Sequence, residues 1–116
     1  MADANATELP WLVVTTVGTA DAARALARDM VERRLAACAQ ITAIESIYRW
    51  QGAVEHEPEF RLLLKTRAAL VPALQTALRE AHPYELPAIH ALPVAQAHAP
   101  YAEWVVASTQ PESAAD

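Results

Sequence analysis

The spacing of apolar residues along the chain predicts four β-strands. Residues 11–17 are β-branched and mostly apolar on both faces, as in a central strand. Two long runs, 38–50 and 54–66, flank a Gln51-Gly52 turn and therefore predict a long β-hairpin. A short apolar run at 88–92 lies between prolines, which suit strand ends, and predicts the fourth strand.

Apolar residues at helical spacing predict helices over 20–36 and 68–81. Thr19 can cap the first helix. Pro83 marks the end of the second, because the residue before a proline disfavours helical conformation. Pro100 can open a third, shorter helix. We expect that helix to pack against a surface through Tyr101, Trp104 and Val105 on one side.

The element order is therefore βαββαβ followed by a C-terminal helix. Right-handed crossovers in that order produce an antiparallel four-stranded sheet with both long helices on one face. This predicts an α+β, ferredoxin-like sandwich formed by residues 10–109. Residues 1–9 and 110–116 are rich in Ala, Asp, Glu and Ser, and we expect them to be disordered tails.

The predicted hairpin is too long for two helices to cover. A strand of about 13 residues spans roughly 43 Å, whereas ordinary strands have about five or six residues. The uncovered part would expose apolar side chains and open strand edges, so we expect association between subunits. This reasoning leaves the symmetry open, because a dimer could hide the same surface. The apolar residues concerned are Ile44, Tyr48, Trp50 and Phe60.

Pro58 interrupts the polar pattern of the returning hairpin strand, between Glu57 and Glu59. A proline has no N–H group and cannot donate a hydrogen bond to a neighbouring strand. Its position therefore predicts a bulge or a bend partway along the strand. A bent hairpin could wrap around a neighbouring subunit.

Composition excludes several classes of function. The chain has 116 residues, 53% of them hydrophobic, which suits one domain with a core. Its net charge is −5 and its nine basic residues are scattered, which argues against nucleic-acid binding. No apolar run approaches the roughly 20 residues of a membrane span, and the basic start of a secretory signal is missing, so we expect a cytoplasmic protein. The single cysteine, Cys38, should be a reduced thiol.

Three stretches are distinctive: ERRLAACA at 32–39, SIYRWQG at 46–52 and HPYELP at 82–87. In these stretches and their spacing the chain resembles the CutA family of divalent-cation tolerance proteins, over nearly all of residues 11–109. The resemblance implies a ferredoxin-like homotrimer related in architecture to the PII signalling proteins. It also implies a role in tolerance to divalent cations, particularly copper, without an assigned enzymatic reaction.

Copper is the cofactor that the resemblance suggests. In copper-associated bacterial members the proposed ligands are a cysteine in the first strand and two adjacent histidines before Pro-Tyr. Those positions here hold Thr15, Ala81 and His82, so one of the three is retained. We therefore take His82, Cys38 and Glu85 as the metal-ligand candidates. As alternatives, Cys38 is a small buried hydrophobic residue and His82 a polar residue closing the second helix.

A second set of residues could serve a small polar ligand. Lys65 is the only lysine beside eight arginines, and with Tyr84 and Glu85 it would offer a cation, a phenol and a carboxylate in an intersubunit cleft. The alternative for these three is a hydrogen-bond network at an interface. Tyr48 and Trp50 share a strand face, and we expect them, with Phe60, to pack in the trimer interface. The alternative for Tyr48 and Trp50 is stacking on a ligand.

Two functions therefore remain. The first is a divalent-cation tolerance protein that binds metal as a trimer. The second is a PII-like signalling or scaffold trimer that binds a small metabolite or a partner protein in its intersubunit clefts. We expect no enzymatic activity, because two glycines cannot build a phosphate loop and no Ser-His-Asp or Cys-His motif is recognisable. Acylphosphatase shares the predicted fold, but fold alone does not carry activity.

Overall fold

The computed structural model describes residues 8–111. The strands are β1 (Pro10–Val17), β2 (Cys38–Trp50), β3 (Ala53–Arg67) and β4 (Ile89–Pro93), and the helices are α1 (Ala20–Glu32), α2 (Val71–Ala81) and α3 (Ala99–Ser108). They form one sheet in the order β2-β3-β1-β4, with every neighbouring pair antiparallel. The predicted α+β, ferredoxin-like fold is confirmed. The tails predicted at 1–9 and 110–116 lie mainly outside the described residues.

The core lies between one face of the sheet and the helices α1 and α2. Alternate residues of a strand point to the same face. Val13 and Val17 of β1 and Leu62 and Leu64 of β3 are fully buried on that face. The helices contribute four residues to the same cluster, namely Leu26, Met30, Leu74 and Leu78.

Within residues 8–111, no helix is long and apolar enough to cross a membrane.

Helix α1 has the predicted start but an earlier end. The Ala22 N–H donates to the Thr19 hydroxyl over 3.1 Å, which is the expected N-cap. The helix ends at Glu32 and does not reach residue 36. Arg34 adopts a φ of 60°, and the Leu35 N–H donates back to the Met30 carbonyl over 3.0 Å. A left-handed residue with such a backward bond ends a helix, so the prediction of 20–36 was too long.

The other element ends differ by smaller amounts. A 3-10 turn at Ala68–Leu70 precedes α2, and β4 covers Ile89–Pro93. In α3, Ala102 and Val105 are buried, whereas Trp104 is 47% exposed and stacks on the Tyr101 ring at 6.0 Å. The prediction that Trp104 packs on the same surface as Val105 was therefore wrong. The small Ala102 side chain, three residues before Val105, lets the helix approach the sheet there.

The hairpin is regular over its full length. β2 pairs with β3 residue for residue from Cys38 opposite Lys65 to Trp50 opposite Ala53. Pro58 sits opposite Glu45 within this ladder, so the predicted bulge was wrong. The reason is that β1 ends at Val17, opposite Phe60, and beyond that pair β3 has a described strand on one side only. A proline nitrogen turned to the open side removes no ladder bond.

The end of β1 divides the hairpin into two parts. We call residues 38–43 with 60–67 the inner hairpin, which is flanked by β1. Residues 44–50 with 53–59 form the outer hairpin, which extends past β1 and pairs only with itself among the described residues. The molecule is correspondingly elongated, with principal extents of 53 × 32 × 21 Å. The outer hairpin is therefore the projecting part of the subunit.

Candidate functional site

An open cleft lies between the outer hairpin and the loop that follows α2. Its volume is about 880 Å³. The hairpin side is formed by Tyr48, Trp50 and Glu59, and the loop side by Tyr84 and Glu85, among others. All of these residues except Glu59 belong to the stretches 46–52 and 82–87 that carry the family resemblance. The fold thus brings two separate motifs to one site.

The two faces of the outer hairpin differ in chemistry. Tyr48 and Trp50 share one face, as predicted, and the register places Glu55 on the same face opposite Tyr48. Ile47 and Val54 occupy the other face and are 68% and 64% exposed. One face therefore combines aromatic rings with carboxylates, and the other carries the exposed Ile47 and Val54 beside Arg49 and the hydrogen-bonded pair of Glu45 and His56.

His82 fastens the start of the loop to the end of β1. The Tyr84 N–H donates to His82 Nδ1 over 3.1 Å, so Nδ1 is the unprotonated nitrogen. Nε2 then carries the hydrogen and donates to the Thr16 carbonyl over 2.9 Å, with the Thr15 hydroxyl 3.1 Å away. Burial lowers the pKa of His82, outweighing the opposing effects of the Thr16 bond and the Glu59 charge. The neutral ring uses both nitrogens, and it contacts β1 and not the last carbonyls of α2.

Tyr84 ties the loop to the hairpin at the start of its outer part. Its hydroxyl donates to Glu59 Oε2 over 2.8 Å, and Glu59 is buried. Burial, the bond to Glu59 and the negative charge of that carboxylate all raise the pKa of Tyr84, so the phenol stays protonated as a donor. A Cβ atom added to Gly18 would lie 3.2 Å from the Tyr84 hydroxyl. A glycine at the end of β1 thus leaves room for this contact.

Tyr48 faces the carboxylates of β3. Desolvation, followed by the negative charges of Glu57, Glu59 and Glu55, raises the pKa of Tyr48, and the nearby Glu57 carboxylate is also an acceptor for its hydroxyl group. The phenol therefore remains neutral beside these carboxylates. Two phenols, Tyr48 and Tyr84, thus solvate acidic side chains that have no cationic partner among the described residues.

The three metal-ligand candidates do not converge within one subunit. Cys38 is half-buried opposite Lys65, whereas His82 contacts Thr16, which pairs with Arg61. Four residues of strand separate these levels, or about 13 Å along the sheet. Glu85 is exposed at the cleft. Among residues 8–111, no group of three or more His, Cys, Asp or Glu is placed to hold a metal ion.

The structure also separates the three residues expected to bind a polar ligand. Tyr84 and Glu85 line the cleft, but the Lys65 ammonium lies 5.6 Å from the centre of the Tyr101 ring, at the far end of the inner hairpin. Phe60 lies on the opposite strand face from Tyr48 and Trp50, and it packs partly against the subunit's own core. Of the three residues assigned to the interface, Tyr48 and Trp50 are at the cleft.

Sequence reasoning missed Glu59 and Gly18 as parts of the site. Glu59 belongs to a visible alternation of glutamates at 55, 57 and 59, which signals one acidic strand face. Its burial had no sequence signal, since it depends on Tyr84 arriving from a loop 25 residues away in the chain. Gly18 directly follows the predicted strand 11–17, and its steric role follows only from the position of the Tyr84 hydroxyl.

Comparison with known proteins gives a consistent result. Residues 11–108 match the family model described as CutA1 divalent ion tolerance protein. The chain is 48% identical over 84 residues to Protein CutA of Homo sapiens, covering 72% of this chain and 47% of that protein. It is 41% identical over 99 residues to the divalent-cation tolerance protein CutA of Thermus thermophilus, covering 84% of this chain and 96% of that protein.

Solved structures agree with these sequence relatives. The structure of CutA from Synechococcus elongatus is similar with a TM-score of 0.86 at 40% identity, covering 90% of this chain and 93% of that one. CutA1 from Ehrlichia chaffeensis is similar with a TM-score of 0.87 at 29% identity, covering 91% of this chain and 100% of that one. The chain spans about half the length of the mammalian relatives it matches.

Proposed function

The chain belongs to the CutA1 divalent ion tolerance protein family, and from this membership we propose that it acts as a non-enzymatic divalent-cation tolerance protein assembled as a homotrimer. The observation that carries the assembly is the outer hairpin, which leaves Ile47, Tyr48, Trp50 and Val54 between 37% and 68% exposed. The threefold symmetry is what the CutA resemblance implies.

Assembly would stabilise both the exposed apolar side chains and the unpaired backbone groups of the hairpin. Contiguous exposed apolar side chains are unfavourable in water, and an edge strand as long as β2 presents unpaired N–H and C=O groups along one side. Association removes apolar area from water and packs the large aromatic rings against other groups. Neighbouring copies that cover the outer hairpin would bury its apolar side chains and could pair with its open strand edge.

Light scattering tests the assembly directly. We expect the wild type at micromolar concentration to have three times the 12.6 kDa subunit mass. Tyr48→Ala/Trp50→Ala should shift the mass towards one subunit, since buried interface aromatics each contribute about 2 kcal/mol or more. Trp104→Ala, which truncates an exposed aromatic on α3, is the matched control and should leave the mass unchanged. A wild type that is monomeric throughout contradicts the proposal.

Direct copper binding is the finer part of the proposal. No three suitable side chains meet within the described part of one subunit, so Cys38, His82 and Glu85 would have to come from neighbouring copies. His82 would also have to release Thr16 or the Tyr84 N–H, because both ring nitrogens are engaged. A thiolate with imidazole is a donor set that suits copper.

Calorimetric titration with copper tests this part. We expect the trimer to bind copper and each of Cys38→Ala, His82→Ala and Glu85→Ala to weaken binding at least tenfold. The dissociated Tyr48→Ala/Trp50→Ala variant keeps all three candidate ligands but should bind copper no better than these single variants do. An isotherm that is the same for the trimer and the dissociated variant would show that the ligands do not come from different subunits.

A PII-like sensing or scaffold role is the second candidate, and the cleft favours it. The cleft of about 880 Å³ is lined by aromatic rings and polar groups, as small-molecule sites are. Among residues 8–111, no three of its carboxylate, imidazole or thiol groups are placed to hold a metal ion. A thermal-shift screen of metabolites tests this role. A ligand present at 100 times its dissociation constant should stabilise the protein by about 2.7 kcal/mol.

The proposal places the protein in the cytoplasm. Its support is the free thiol of Cys38, which suits a reducing compartment, since disulfides predominate in oxidising ones. Fractionation of cells that express the full-length gene product is the measurement, and recovery outside the cytoplasm would contradict this placement.

A further inference from the structure

The charges on one face of β3 are segregated by sign. Residues at odd positions of this strand point to the face opposite the buried Leu62 and Leu64. In chain order that face carries three carboxylates and then three cations. The carboxylates are Glu55, Glu57 and Glu59, and the cations are Arg61, Lys65 and Arg67. We call them the acidic end and the basic end of β3.

Neither end is neutralised by another charged side chain within residues 8–111. The residues opposite them on β2 carry no charge, as in Tyr48 opposite Glu55 and Thr42 opposite Arg61. None of the six side chains forms an ion pair with another described residue. Some of them contact uncharged groups of the same subunit. Tyr84 donates to Glu59, Arg67 donates to Thr109, and the Lys65 ammonium lies 5.6 Å from the centre of the Tyr101 ring.

Uncompensated rows of like charge resist burial. Three carboxylates spaced two residues apart repel one another, and removing them from water without a counter-charge is costly. The aromatic rings of Tyr48 and Trp50 lie on the same face, so covering those rings also covers the acidic end. Whatever covers this face must therefore bring positive charge to the acidic end.

We propose that the occupant is a second copy of this chain, whose basic end of β3 contacts the acidic end of the first. This inference rests on the homotrimer proposed above and adds what orients the subunits. A foreign partner needs only one sign of charge, whereas each copy here carries both signs in equal number on one strand face. In a ring with head-to-tail contacts, every acidic end meets a basic end.

Subunit exchange tests the proposal, measured by native mass spectrometry after mixing labelled and unlabelled protein. Glu55→Lys/Glu57→Lys reverses the charge of the two carboxylates of the acidic end that are not buried, and it leaves the Tyr84 contact of Glu59 intact. We expect exchange to accelerate about a hundredfold, because like charges facing each other across an interface are strongly unfavourable and mutations act mainly on dissociation. Adding Arg61→Glu/Lys65→Glu should restore slow exchange to within about tenfold of the wild type.

Two comparisons keep the interpretation specific. Glu32→Lys/Glu80→Lys changes the net charge equally on the surfaces of α1 and α2, and it should exchange like the wild type. Far-ultraviolet circular dichroism of each variant checks that the subunit is folded. Two results overturn the charge contact. In one, Glu55→Lys/Glu57→Lys exchanges subunits as slowly as the wild type. In the other, the variant with all four substitutions exchanges as fast as this double variant. A monomeric wild type overturns the homotrimer itself.

Discussion

The inner and outer hairpin are two halves of the same pair of strands, with one continuous register but opposite environments. In the inner hairpin, Leu62 and Leu64 are fully buried beneath α1 and α2. In the outer hairpin, Ile47 and Val54 on the same strand face are 68% and 64% exposed. The side chains are similar in size and hydrophobicity. Burial in the hairpin is therefore set by where β1 and the helices end, and not by the residues of the hairpin.

The boundary between the two halves is held by contacts from outside the hairpin. Val17 pairs with Phe60 as the last residue of β1, and directly beyond it Tyr84 reaches Glu59. His82 in turn holds this loop to Thr16.

Removing matched apolar side chains from the two halves gives the largest contrast. Leu62→Ala should lower the free energy of unfolding by about 2–5 kcal/mol, because it leaves a cavity in the core. Ile47→Ala should cost the isolated subunit less than about 0.5 kcal/mol, as exposed substitutions do. Urea unfolding at several protein concentrations measures both. If other copies cover the outer hairpin, the Ile47→Ala effect grows with concentration, whereas equal costs at every concentration would remove the contrast.

Breaking the Tyr84 contact weakens the boundary. Tyr84→Phe leaves the buried Glu59 carboxylate without its donor and should cost about 1–3 kcal/mol in urea unfolding. Tyr101→Phe is the control, because the Tyr101 hydroxyl has no hydrogen-bond partner among the described residues. Equal effects of the two variants would show that Glu59 does not depend on the phenol.

Filling the space beside Tyr84 should have a smaller effect. Gly18→Ala places a methyl group 3.2 Å from the Tyr84 hydroxyl, which is already fixed by Glu59, and should cost about 1 kcal/mol. In the Tyr84→Phe background that hydroxyl is gone, so the same change should be nearly neutral. A double-mutant cycle measures this coupling, and additive effects would contradict the steric role of Gly18.

Acidification should loosen the boundary by the smallest amount. Burial lowers the pKa of folded His82 below its ordinary value of about 6.5, so the unfolded chain binds a proton more readily. The corresponding stability is fully present above pH 6.5 and is lost as pH falls from there through the folded pKa. Thermal unfolding from pH 8 to pH 5 should show a decline that is weaker in His82→Ala. Identical pH profiles would show that His82 does not contribute.

Local pattern was enough to predict the elements and their order. The seven strands and helices, the Thr19 cap and the shared face of Tyr48 and Trp50 depend on spacing along the chain, which sequence displays directly. The errors came from contacts between elements. Helix α1 stops early so that the chain can turn into β2, and Pro58 sits in a regular ladder because β1 is too short to reach it.

The candidate site was predicted only in part, because some of its features depend on contacts between elements. Tyr48, Trp50, Tyr84 and Glu85 do line one cleft, and their motifs are visible in the sequence. The burial of Glu59 was not visible, because a glutamate among glutamates in an exposed pattern looks like a solvated strand face. Only the folded loop shows that one of the three carboxylates is covered by Tyr84.

Three features can be predicted from the spacing of residues alone: the ferredoxin-like order, the excess length of the hairpin and the alternation of charge and aromatic rings along it. These features follow from periods of two and of about 3.6 residues, which local backbone geometry imposes. Only the folded structure shows that His82 uses both ring nitrogens, that Cys38 and Lys65 lie far from the cleft, and that the acidic and basic ends of β3 have no ionic partner among residues 8–111. Such facts depend on distances between residues remote in the chain, which packing alone sets.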